Sequence, residues 1–231
     1  MSAIDDRERA GAPGSVPASP PHFRWVGCVV VGAICGLAWA AGFRAYMMEI
    51  AGSASRFDWF GTFGTILAPG MIVGGTLGLA AAMRAAGRQR GIRWLALSPL
   101  LFAIAPMVRP GALVTFLTQG LGGGAVGISL IAIAGGFSLG QIGPVWARVV
   151  CGVVGWAGAI AVAATVPLIG GARVALSQPR GGWAIVLAFS FVAVLMIASS
   201  IPFRRATPGE FVVPSGDEVA GREHRSPEPR S

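Results

Sequence analysis

Arg44, Tyr46, Glu49, Arg56 and Asp58 crowd one short stretch of a chain that is otherwise poor in charge. Two carboxylates, two guanidiniums and the protein's single tyrosine are the raw material of ion pairing, or of proton transfer between positioned groups. Arg109 closes a later apolar run on what the alternation of runs makes the same side. The expected constellation is therefore an outer-side polar cluster of Arg44, Tyr46, Glu49, Asp58 and Arg109, with Glu49 or Asp58 pairing with Arg109. Arg44 and Glu49 stand five apart, about 140° around a helix, so they share no face and each must find its partner elsewhere. The plainer alternative lets Arg44 reach back to the interface and leaves the others as solvated loop charges.

Other chemistry is poorly served. No apolar run holds an Asp or Glu, so a proton or cation relay through a bilayer lacks its usual carboxylate. The 18 basic residues are all arginine, and without lysine the phosphate-cradling GxxxxGK[ST] loop cannot be completed. HExxH is missing. His22 and His224 fall in the polar tails, and Cys28, Cys35 and Cys151 lie inside apolar runs with no CxxC or Cys/His grouping. Neither a metal, a cofactor, a disulfide nor an enzyme activity is expected from this inventory.

Glycine supplies the clearest spacing pattern. Gly70, Gly74 and Gly78 lie four apart, as do Gly32 and Gly36, Gly123 and Gly127, and Gly136 and Gly140. Residues four apart share a helix face, and a face of glycines lets another backbone approach. Such faces serve packing within a bundle or a seam between copies of the chain. Pro69, next to Gly70, removes one helical hydrogen bond and is expected to bend its helix.

These residues are carried by long apolar stretches. Residues 26–43, 60–83, 111–147 and 181–203 contain no Asp, Glu, Lys or Arg. The chain is 54% hydrophobic and 12% charged, with a mean hydropathy of +0.67. A soluble domain carries about 25% charge; a hydrocarbon environment demands the lower figure. The fold class is accordingly all-α, a polytopic membrane protein built as a bundle of about six helices with glycine-rich packing faces. The spans fall at residues 25–47, 59–83, 94–108, 123–142, 147–169 and 183–203. The third is short and holds Pro99 and Pro106. Residues 109–124 read as an interfacial helix, a re-entrant hairpin or the end of a long kinked third span. Thr115, Thr118, Gln119 and Gln141 are the polar groups nearest that region. The first span is expected to stay uncleaved, although Ala38-Trp39-Ala40 has small-x-small spacing. Trp25, Trp59, Trp94, Trp146 and Trp183 sit at span starts, as interface anchors do. Residues 1–22 and 204–231 are polar and rich in Pro, and are expected to be disordered tails flanking a membrane domain at 23–203.

With six spans both tails share a side. That side holds Arg7, Arg9, Arg24, Arg84, Arg88, Arg90, Arg93, Arg148, Arg204, Arg205, Arg222, Arg225 and Arg230, 13 in all, against Arg44, Arg56, Arg109, Arg173 and Arg180, 5 in all, on the other. Basic residues stay cytoplasmic, so both termini are expected in the cytoplasm and the protein in the cell membrane. The net charge of +8 flanks apolar spans and so points to lipid headgroups, not to nucleic acid. The expected role is a non-enzymatic accessory or partner-binding membrane protein, as a homo-oligomer or with another membrane protein. The alternative is an oligomeric small-solute or lipid transporter or channel. A polar-lined cavity at the midplane would mark the transporter, and a dry interior the accessory protein.

Overall fold

The computed structural model describes residues 21–88, 90–108 and 121–205. Arg109, Thr115, Thr118, Gln119 and both tails beyond residues 20 and 205 lie outside them. Among the described residues every element is a helix and there is no strand.

Helix α1 (Pro21–Ala51) is followed by a π-helical segment, Phe60–Leu67, that passes into α2 (Ala68–Ala85). Two one-turn pieces follow, α3 (Ile92–Leu95) and α4 (Leu101–Ile104), and then α5 (Leu121–Leu139). Helix α6 (Val145–Ala164), the short α7 (Val166–Gly170) and α8 (Pro179–Ser199) complete the bundle. Tighter 3-10 turns join these pieces, including Ala105–Val108, Gly171–Val174 and Ile201–Phe203.

Four stretches are long and apolar enough to cross a membrane: Trp25–Ala51, Phe60–Ala85, Val145–Val174 and Pro179–Phe203. The expected third and fourth spans are shorter, Ile92–Ile104 and Gly124–Leu139. The reason for the third is visible in its sequence. Pro99 and Pro106 each lack an N–H, and the segment breaks there into α3, α4 and 3-10 turns. The first of these short segments still runs between the two ends of the bundle, and the second has one end placed. Ala105–Val108 packs on the π-helical start of the second span, α3 packs on Ile201–Phe203, and Gly140 at the end of α5 meets Phe203.

Pro69 is accommodated without an unwound gap. The preceding segment is π-helical, and Ala68 N–H bonds five residues back to the Phe63 carbonyl. Pro69 then takes an early position in α2, where its missing N–H costs little.

The surface of this bundle is inverted relative to a soluble protein. Only 6% of the most apolar window of the first span is buried, and Val149, Val150, Val153, Val154, Ile160 and Val186 stand exposed along the helices. Water tolerates no such continuous apolar belt. Inside, two clusters hold the helices together: Tyr46, Val166, Val174, Ala184 and Ala188 near one end, and Ala159, Val192 and Met196 further along.

Gly36 and Gly74 let the backbones of α1 and α2 approach closely. A Cβ placed on Gly36 would lie 2.9 Å from the Gly74 Cα, and one on Gly74 would lie 2.8 Å from the Gly36 Cα. Gly136 likewise faces the Ser199 backbone, a Cβ there meeting its carbonyl carbon at 2.6 Å. By contrast, nothing lies within 4 Å of a Cβ built on Gly124 or Gly127, so the spacing at residues 123 and 127 marks no such contact for Gly127.

Candidate functional site

The charges separate to the two ends of the bundle. One end collects the C-terminus of α1, the loop to residue 59, the turn Gly171–Val174 and the start of α8. Here Arg44, Glu49, Arg56, Asp58, Arg173 and Arg180 are found. The other end collects Arg84, Arg88, Arg90, Arg93, Arg148, Arg204 and Arg205, with no acidic residue among the described positions.

At the first end the expected cluster resolves into three separate tasks. Arg44 is buried, with 8% of its surface exposed. Its Nη1 donates to Ser55 Oγ at 3.2 Å and its Nη2 to the Arg56 carbonyl at 2.7 Å, while its guanidinium lies 4.3 Å from the Phe57 ring centre. It is a strap for the loop between the first two spans. Asp58 accepts a hydrogen bond from Gly61 N–H at 2.7 Å, and so secures the start of the π-helical segment. Tyr46 points away from both, into the apolar cluster with Val166 and Val174 and 5.9 Å from the Phe191 ring.

Glu49 takes the third task, with a partner the sequence reading did not assign. Arg180 grips its carboxylate with Nε on Oε1 and Nη2 on Oε2, the latter at 3.0 Å. Arg173 donates to the carbonyls of Glu49 and Ile50 at 2.8 and 2.9 Å, closing the last turn of α1. Gly52 beyond it has φ +54, a conformation that favours glycine, and a Cβ there would displace the Arg173 guanidinium, whose Cζ would stand 2.7 Å away. The carboxylate expected to seek Arg109 is thus occupied by Arg180. Arg173 and Arg180 entered the sequence reading only through the orientation count. The signal that points to them is that both lie on the side of Glu49 with no carboxylate of their own nearby.

Arg44 yields a direct test. Arg44→Ala leaves the Arg56 carbonyl and Ser55 hydroxyl without their charged donor, and a cost of about 1–3 kcal/mol is expected. Trypsin should cut after Arg56 markedly faster in this variant than in the wild type. Equal cleavage rates would show that Arg44 does not hold the loop.

Three cavities among the described residues are lined mainly by apolar side chains. One of about 350 Å³ lies among α1, α2, α4 and α8, lined by Cys28, Cys35, Trp39, Leu77, Phe102 and Leu195. A second of about 480 Å³ is lined by residues such as Ile160, Pro167 and Phe189, and a third of about 560 Å³ by Leu130, Phe137 and Cys151. Gln141 lies at the arginine-rich end, exposed, its Oε1 accepting from Arg205 N–H at 3.3 Å. Pro69 and Gly70 are buried against α1. Two polar groups inside are absorbed by backbone, whereas the hydroxyls of Ser98 and Ser199 are buried with no hydrogen-bond partner among the described residues. Trp39 Nε1 donates to the Phe191 carbonyl at 3.1 Å, and Ser129 Oγ to the Pro99 carbonyl at 2.8 Å. The three cysteines are free, and no group of His, Cys, Asp or Glu able to hold a metal occurs among the described residues.

Comparison of the chain with protein-family models, with curated proteins and with solved structures finds no match.

Proposed function

We propose that this chain is an integral protein of the cell membrane that acts by binding a membrane partner and not by catalysis. The observation that supports the reading is the apolar lining of the three cavities described above, while the charged groups at the Arg44 end are engaged in holding loops and helix ends. Six segments cross the bilayer in this reading, the shorter two, Ile92–Ile104 and Gly124–Leu139, shielded by their neighbours. Both termini face the cytoplasm, because the end that collects Arg84, Arg88, Arg90, Arg93, Arg148, Arg204 and Arg205 belongs on the positive side. A homo-oligomer or a second membrane protein covers part of the exposed belt.

The second reading is a lipid or small-solute transporter or channel. The cleft between α1 and α8 favours its lipid form, since such a lining suits acyl chains and offers nothing to a polar solute.

Two measurements test the leading reading. A C-terminal fusion to green fluorescent protein should fluoresce, and the same fusion to alkaline phosphatase should be inactive; the reverse pattern would place the arginine-rich end outside. Purified protein in liposomes should leave efflux of potassium and of a small dye at the protein-free rate. Efflux that rises with protein content would replace the accessory role with a channel.

A further inference from the structure

The apolar cleft and the arginine-rich end meet. The cleft follows one stripe of α1 from Cys28 to Trp39 and a facing stripe of α2 from Gly70 to Ala81. Its floor is low because Gly32, Gly36, Gly70, Gly74 and Gly78 present no side chains there. Eleven residues of helix rise about 17 Å, roughly half of a hydrocarbon core of about 30 Å. The cleft is therefore about as deep as one leaflet. At its inner limit the Trp39 ring, 5.2 Å from Phe102 and 5.4 Å from Phe43, closes it.

Its other limit is basic. Ile201 lines the cleft, and its carbonyl accepts a hydrogen bond from Arg84 Nη1 at 3.4 Å. Arg84 continues the α2 stripe one turn beyond Ala81 and is buried, with 9% of its surface exposed. Arg88 follows, its guanidinium 5.7 Å from the ring centre of Trp25, which stands one turn before Cys28 on α1. No carboxylate lies at this end among the described residues.

We infer that the cleft holds one acyl chain of an anionic phospholipid of the cytoplasmic leaflet, with its phosphate on Arg84 and Arg88. The inference rests on the membrane location proposed above. Length and lining fit the chain, and the arginines fit the phosphate, to which guanidinium donates in a fork. A volume of about 350 Å³ falls within the range of small-molecule sites, roughly 300–1,000 Å³. A zwitterionic lipid brings the same tail but a compensating ammonium. Selectivity for negative headgroups is therefore the signature of the arginines, and occupancy is the signature of the cleft.

Native mass spectrometry of the full chain tests this, with protein released from micelles holding equal phosphatidylglycerol and phosphatidylcholine. The expected result is one retained phosphatidylglycerol, favoured at least tenfold over phosphatidylcholine. Ala198→Phe, which fills the cleft, and Arg88→Gln, at an exposed position, should each lower that adduct at least fivefold. Arg148→Gln, at the same end but bonded to the Ser138 carbonyl away from the cleft, should leave it intact. Equal retention of both lipids, insensitivity to Ala198→Phe and Arg88→Gln, or equal loss in Arg148→Gln would each overturn the assignment. So would a lipid-free dimer, which would give the cleft to a second copy. Extraction of the protein from membranes by alkaline carbonate would instead sink the membrane reading beneath it.

Discussion

Gly74→Val is expected to lose the fold of the first two spans, with a cost of about 3 kcal/mol or more. The residue sits at a close approach of α1 and α2. A Cβ there would meet the Gly36 N at 2.9 Å and Cα at 2.8 Å, and both are backbone atoms that no rotamer change can move. The helices would have to part along their length, and with them the cleft and the contacts of Gly32 and Gly78. Gly36→Val should behave alike, because its own Cβ would lie 3.0 Å from the Gly74 N. Gly127→Ala provides the contrast. It has open space around it, and alanine in a helix is favoured over glycine by about 1 kcal/mol. Thermal unfolding of the detergent-solubilised protein, followed by size-exclusion chromatography, distinguishes the two. A Gly74→Val protein with the wild-type midpoint would show that α1 and α2 do not touch there.

Trp39→Ala should be the second severe change, at about 3–5 kcal/mol for a large aromatic removed from a packed site. The indole joins three helices. It stacks on Phe43 at 5.4 Å, tilts onto Phe102 at 5.2 Å and meets Phe191 edge-on at 6.0 Å. Its N–H also donates to the Phe191 carbonyl, which matters in hydrocarbon because no water is at hand to replace that bond. Trp39→Phe keeps most of the ring contact and gives up the bond, so about 1 kcal/mol is expected. The same unfolding assay reads both. If alanine and phenylalanine proved equally mild, the aromatic cluster would not be what fixes α1 against α8.

Much of this was legible in the chain. The length of apolar runs located all four stretches able to cross a membrane, because hydropathy sums over neighbours in sequence. The tryptophans at span starts are likewise a local signal, and Trp59, Trp94, Trp146 and Trp183 are exposed in the structure. The third span is short in the structure, Ile92–Ile104, as its sequence length already implies. Its apolar content was sufficient, yet Pro99 and Pro106 divide it, and backbone hydrogen bonding overrides side-chain hydropathy at such points. The outer-side cluster is read from proximity in sequence, which does not tell where each side chain turns. Tyr46 and Glu49 are three apart, but one faces an apolar core and the other an arginine more than a hundred residues away.

What the sequence determined by itself is the solvent. Charge density, run length and the sorting of arginines are one-dimensional quantities, and hydrocarbon responds to them directly. What only the tertiary structure decided is partnership: that Arg180 takes Glu49, that Arg44 straps its own loop, and that glycines of two helices open a trough beside Arg84. Each depends on which faces the helices turn toward one another. That choice is made by packing summed over the whole bundle, and no single segment encodes it.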